Sequence, residues 1–172
     1  QERNIGTLAY RKPGFGLTLL RNEILGPERF DRAFRAYLHR WAYKHPTPDD
    51  FFRTMENVAG ENLNWFWRGW FKYNWRFDQG IVMVINDASD PKNRGIITVE
   101  NFEKLPMPVV VDITTKSGKV HRVKLPVEIW ERNSQWTFKA PTDEEIIAVQ
   151  LDPDRVYPDH NPDNNRWEAT TN

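Results

Sequence analysis

The sequence predicts an α+β protein in two parts: a helical bundle over residues 1–77, then an antiparallel β-sandwich over residues 78–172. Three observations predict it. Up to Phe77 the large apolar residues recur at intervals of three and four, which is the spacing of one helix face. From Gly80 onward the recurrence drops to two, the period of a half-buried strand. Pieces rich in Gly, Pro, Asn and Asp then punctuate the chain at short spacing, as they do between the strands of a sandwich.

The helices come in order. The first is expected from about Pro13 to Leu25, with Leu17, Leu20 and Ile24 recurring and Gly26 stopping it. A second starts near Pro27 and carries Phe30, Phe34, Tyr37, Leu38 and Trp41. Lys44, His45 and Pro46 end it, with basic groups near the negative helix terminus. Thr47 can cap a third helix whose first position is Pro48, with Asp49 and Asp50 near its positive end. Phe51, Met55 and Val58 share a face, and Gly60 suits the left-handed residue that closes it. Leu63, Phe66, Trp67 and Trp70 then recur at helical spacing, so the fourth helix has a face of large rings to bury. Short connections favour antiparallel neighbours in a bundle.

The strand candidates are Ile81–Ile85, Gly95–Glu100, Val109–Thr115, Lys119–Leu125, Glu128–Arg132, Trp136–Lys139 and Ile146–Leu151. DASDPKNRG, KLPMP, KSGK and RNSQ separate them as turns, and Lys116 to Lys119 is a hairpin signal between two β-branched runs. The final stretch, rich in Asp, Asn and Pro, reads as an irregular surface tail.

Composition narrows the function. The net charge is zero, so no nucleic acid or other polyanion is expected as partner. Residues 1–77 hold 13 basic and 8 acidic side chains, and the remainder 11 and 16, which supports two parts more than a polyanion site. The absence of cysteine excludes disulfides and thiolate metal sites. No apolar run is long enough to span a membrane.

The chemical candidates are few. His39, His45, His121 and His160 show no ligand-like spacing, and His121, alternating within a strand pattern, is expected to be exposed. There is no H-E-x-x-H, G-x-S-x-G, P-loop or G-x-G-x-x-G, and Gly14-Phe15-Gly16 is too short to cradle a phosphate. Asp152, Asp154, Asp159 and Asp163 raise calcium, but without its regular loop; turns in which these side chains bond local backbone are favoured. The cluster Trp65, Phe66, Trp67, Trp70 and Phe71 fits packing better than a ligand platform. Tyr10 lies just before the expected first helix, where a tyrosine by itself serves to pack or to anchor a loop.

The order of motifs Y-R-K-P-G, L-R-N-E-I-L-G-P-E-R-F, A-Y-K-H-P-T-P-D-D-F-F-R-T-M-E-N and W-F-W-R-G-W resembles the M1 family of zinc metallopeptidases, the gluzincin aminopeptidases. The likeness is strongest to bacterial exported members and covers Leu8 to about Phe71. The β-rich remainder, with L-D-P-D and N-P-D-N-N-R-W, looks like the carboxyl-terminal part of the same group. The resemblance implies that residues 1–77 are the last helical portion of a thermolysin-like catalytic domain. The zinc-binding H-E-x-x-H and its distal glutamate would then precede Gln1, so the fragment would bind no catalytic zinc and hydrolyse nothing by itself. Met55-Glu56-Asn57 echoes the family's substrate-recognition motif only superficially, and its role is not carried over.

Tyr10 does carry over. It matches the family tyrosine of a Y-x-K-G pattern, with Pro13 intervening before Gly14. In the family this hydroxyl donates to the oxyanion formed when zinc-bound water attacks the scissile carbonyl. A phenol keeps its proton at neutral pH and can donate to developing charge, which is worth about 3–4 kcal/mol of barrier. Pro13 equally suits the first position of the following helix, leaving Tyr10 at its mouth.

The resemblance thus implies the carboxyl-terminal part of a zinc-dependent, aminopeptidase-type enzyme, periplasmic or exported. Its partners would be the upstream remainder of the same polypeptide and a peptide substrate. The alternative is a non-catalytic sandwich that binds a glycan or protein, with Trp130 or Trp136 as platform. Their alternating positions argue that at least one of the two is core.

Overall fold

The computed structural model describes residues 4–90, 92 and 94–170, and the chain divides into two compact units, Gln1–Asn74 and Trp75–Asn172. Residues 91 and 93, in the expected turn DASDPKNRG, and 171–172, at the end of the expected tail, lie outside the described residues.

The first unit is helical. Its opening helix, α1, begins well before Pro13: residues 6–25 form one right-handed run made of a π-helical Gly6–Arg11, an α-helical Lys12–Leu19 and a π-helical Leu20–Leu25. Pro13 has no N–H to donate and its ring crowds the carbonyl four residues back. The turn ahead of it is widened, with the Lys12 N–H bonding the Thr7 carbonyl five residues earlier. A proline read as a start is therefore carried inside the helix. Gly26, at φ 79°, ends it where a side chain would be strained.

Helix α2 is Pro27–Trp41. Its apolar stripe meets α3, Pro48–Ala59, through aromatic edges, with Tyr37 and Phe51 rings 4.9 Å apart and near-perpendicular. Leu38, expected on that stripe, is 51% exposed. It is one residue on from Tyr37, rotated about 100° around the axis and away from the contact. A capping box opens α3: Asp50 N–H donates to Thr47 Oγ1, and Thr47 N–H donates to Asp50 Oδ2 at 2.8 Å. Gly60 closes α3 in the left-handed conformation, at φ 69°. The last helix, α4, runs over residues 64–72, with Asn64–Trp67 α-helical and Arg68–Lys72 π-helical. Leu63, Phe66, Trp67 and Trp70 are all buried, so the ring-rich face packs as its spacing predicts. Phe52 of α3 stacks on Trp67 at 4.5 Å.

The second unit is an antiparallel sandwich of two sheets, one ordered β1-β2-β5 and the other β4-β3-β6-β7. The strands are β1 Gln79–Asn86, β2 Gly95–Asn101, β3 Val109–Thr115, β4 Val120–Leu125, β5 Gln135–Ala140, β6 Ile146–Leu151 and β7 Arg166–Glu168. Ile97 and Val99 from one sheet share a core with Val111, Ile113 and Val149 from the other. Alternation is cleanest in β3, where every second residue is buried. The hairpin between β3 and β4 turns at Gly118, φ 86°.

Two expectations fail here. Glu128–Arg132 is no strand; Val127–Trp130 forms a 3₁₀ turn after Pro126. Ile129 is buried, and its neighbour Trp130 also packs inward, donating Nε1–H to the Met107 carbonyl at 2.9 Å. A strand would send those two neighbours to opposite faces, whereas a tight turn brings both to the core. The tail is also less irregular than expected. Pro162–Asn165 forms a 3₁₀ turn and Arg166–Glu168 pairs with β6 as its outer neighbour. Only Trp167 of that short strand packs on the core, too little apolar pattern to read in advance.

Candidate functional site

Tyr10 lies within a helix rather than before one. It occupies the π-helical turn Gly6–Arg11 of α1 and is 74% exposed, so its hydroxyl is open to an approaching group. π-Helical turns cost hydrogen-bond geometry and occur disproportionately at functional sites. No side chain of Gly6–Arg11 is buried among the described residues, and the turn runs without a break into the remainder of α1.

Three contacts fix that remainder to α4. Lys12 Nζ donates to the Tyr73 carbonyl at 3.3 Å, just past the end of α4. Phe15 meets Trp70 edge-to-face at 6.0 Å between ring centres. Gly16 lies flat against the same indole: a methyl group there would sit 3.1 Å from Trp70 Cε3 and 3.3 Å from Cδ2. That spacing is tighter than ordinary packing, so a side chain there requires the indole or the helix to give by a few tenths of an ångström. Phe15 and Gly16, from the Gly14-Phe15-Gly16 stretch, thus belong to a helix–helix contact. The Gly16–Trp70 pair is a long-range partnership that sequence reasoning missed; a buried-face glycine within a helical run was the available signal.

The other candidates are dispersed. His39 is exposed in the last turn of α2, His45 is exposed beyond that helix, and His160 is exposed with Nε2 3.5 Å from Arg76 Nη1. His121, expected to be exposed, is half-buried on β4, directly opposite Ile113. Among the described residues no three His, Asp or Glu side chains converge as a group able to hold a metal ion. The zinc that the resemblance implies thus finds no such ligand group among the described residues.

The tail carboxylates engage local backbone. Asp152 accepts from the Val156 and Tyr157 N–H groups at 3.0 and 2.8 Å, and Asp159 accepts from the Asn161 N–H at 2.9 Å. Asp154 instead joins Arg122, which also grips Asp112 with two bonds of 2.7 and 2.8 Å. That hydrogen bonding holds the Asp112 carboxyl below its usual range, against the opposing pull of burial. Met55 is fully buried in α3, while Glu56 accepts from the Leu63 N–H at 2.9 Å and so ties α3 to the start of α4. Both residues have structural employment. Of the two tryptophans considered as a platform, Trp130 packs on the core and Trp136 on β5 is 40% exposed.

No helix among the described residues is long and apolar enough to cross a membrane. Comparison with known proteins gives two findings. Residues 4–70 match the Peptidase family M1 domain. The chain superposes on a Legionella pneumophila aminopeptidase A, solved in complex with aspartic acid, with a TM-score of 0.61 and 16% identity. That match covers 88% of this chain and 17% of the aminopeptidase, so the chain spans about a sixth of the length of the structure it resembles. A search of curated proteins found no match.

Proposed function

We propose, from the premise that residues 4–70 carry part of a Peptidase family M1 domain, that this chain is the carboxyl-terminal part of a zinc-dependent peptidase of aminopeptidase type. The observation that carries the reading is Tyr10, exposed on a π-helical turn inside the stretch that matches the family. Its phenol donates a hydrogen bond to the oxygen of the scissile carbonyl as negative charge develops there. A fixed donor helps because it strengthens with that charge and needs no reorientation during the reaction.

In this reading the zinc is held by residues upstream of those described, as the resemblance of residues 4–70 to the family implies. The upstream remainder of the polypeptide supplies that group and most of the substrate pocket, and the chain by itself hydrolyses nothing. The parent is exported, in keeping with the bacterial members its motifs resemble; fractionation of the native cells checks this.

The test is Tyr10→Phe in the parent polypeptide. Loss of one oxyanion donor lowers kcat about 10²–10³-fold with little change in KM. An unchanged kcat would leave Tyr10 structural. Calorimetric titration of this chain with zinc is expected to show no stoichiometric site of micromolar affinity; a tight site would overturn the assignment of the ligands to the upstream residues.

A further inference from the structure

We infer that Trp70 and Gly16 are positioning residues for Tyr10, an inference that rests on the reading of Tyr10 as an oxyanion donor. Tyr10 and Gly16 share one continuous helix, six residues apart, or about 9 Å along the axis. The Tyr10 turn buries none of its own side chains among the described residues and continues directly into the anchored part of α1. That anchor is the indole of Trp70, with Gly16 seated against its six-membered ring and Phe15 meeting it edge-on. The Lys12 ammonium on the Tyr73 carbonyl holds the intervening turn.

The indole itself cannot shift freely. Trp70 is buried and tilted against Phe66 at 5.8 Å, and Phe66 is fully enclosed. The contacts of its ring with Gly16, Phe15 and Phe66 are made through its carbon faces and edges. A methyl group at position 16 therefore displaces the helix by a few tenths of an ångström and carries the Tyr10 hydroxyl with it. Donor geometry is sensitive at this scale, and misplacement by 1 Å can cost about 10²-fold in rate.

The experiment is a set of cycles in the parent polypeptide, reading kcat and KM separately. Gly16→Ala is expected to lower kcat about tenfold with KM unchanged. In the Tyr10→Phe background the same substitution is expected to change kcat less than twofold, because no donor is left to misplace. Trp70→Phe replaces the fused ring that makes the shortest contact, at Cε3, with a smaller one, so Gly16→Ala combined with Trp70→Phe recovers kcat relative to Gly16→Ala. Should Gly16→Ala not fold, Trp70→Phe measured with and without Tyr10→Phe carries the same cycle. Equal losses in both backgrounds, or no loss from either substitution, would overturn the positioning role while Tyr10→Phe alone still reports on Tyr10. If Tyr10→Phe leaves kcat unchanged, the oxyanion reading falls first and the positioning role with it.

Discussion

Gly95→Ala tests how tightly the sandwich is closed. Gly95 begins β2, between Asn86 of β1 and Ala140 of β5. A methyl group there would overlap Ile146 Cδ1 and lie 2.9 Å from Ala140 Cβ and 3.3 Å from Ile146 Cγ1. Ile146 and Ala140 are both fully buried, so neither has open space to retreat into. Alanine in a strand gains about 0.5–1 kcal/mol over glycine from the unfolded chain. Overpacking a filled core costs about 1–3 kcal/mol, and the overlap with Ile146 places this case toward the upper end. The net expectation is a loss of about 1–2 kcal/mol, read as a lower urea midpoint with unchanged slope. Ile146→Val deletes the Cδ1 methyl and by itself costs about 0.5–1.5 kcal/mol. Combined with Gly95→Ala it should cost less than the two losses together, because the new methyl takes the vacated place. Strict additivity, or a stabilised single variant, would refute the packing argument.

Other substitutions probe separate devices. Asn86 donates Nδ2–H to the Ile146 carbonyl at 3.1 Å and accepts the Ile146 N–H on Oδ1 at 2.8 Å, so Asn86→Ala orphans two backbone groups. A loss of about 2 kcal/mol is expected in urea unfolding, and Asn86→Asp, which keeps only the acceptor, should fall between. Thr47→Ala removes the cap of α3 and should cost about 1 kcal/mol by thermal unfolding, while Thr47→Ser retains most of it. Asp112 and Asp50 are both held below the ordinary carboxylate range, Asp112 chiefly by Arg122 and Asp50 chiefly by the Thr47 hydroxyl. A depressed folded-state pKa means that their stabilisation is fully present above the unfolded value, near 4, and is lost as pH falls through the folded one. Urea midpoints should therefore be steady near neutral pH and drop below about pH 4, with a shallower acid limb in Asp112→Asn.

Much of the fold was legible because its signals are local. The Thr47 cap, the left-handed Gly60, the Gly118 hairpin and the strict alternation of β3 are each written within a few residues, and each appears where the sequence puts it. The failures are non-local. The helical run before Pro13 has no buried side chain to reveal it, and Val127–Trp130 turns because Ile129 and Trp130 both answer to the same core. Strand β7 exists because β6 offers an edge for it. For the site, Tyr10 was named by motif order alone; its seat on a π-helical turn and the Gly16–Trp70 contact beneath that helix depend on residues far apart in sequence.

The bulge in β1 has a consequence for encounters between molecules. Its register with β2 slips between Ile81 and Met83, which bends the free side of that strand, and Asn86 has already clasped Ile146 at its far end. The outermost strand of the other sheet, β4, bears Arg122 and Lys124, with three residues of β7 on the opposite flank. A neighbouring chain seeking to pair with β1 meets a bent ladder and a side chain already in place, and one seeking to pair with β4 meets Lys124 beside an Arg122 already held by Asp112 and Asp154. These are the features by which β proteins resist edge-to-edge aggregation, and they protect a unit whose β1 otherwise exposes Val82, Met83 and Ile85.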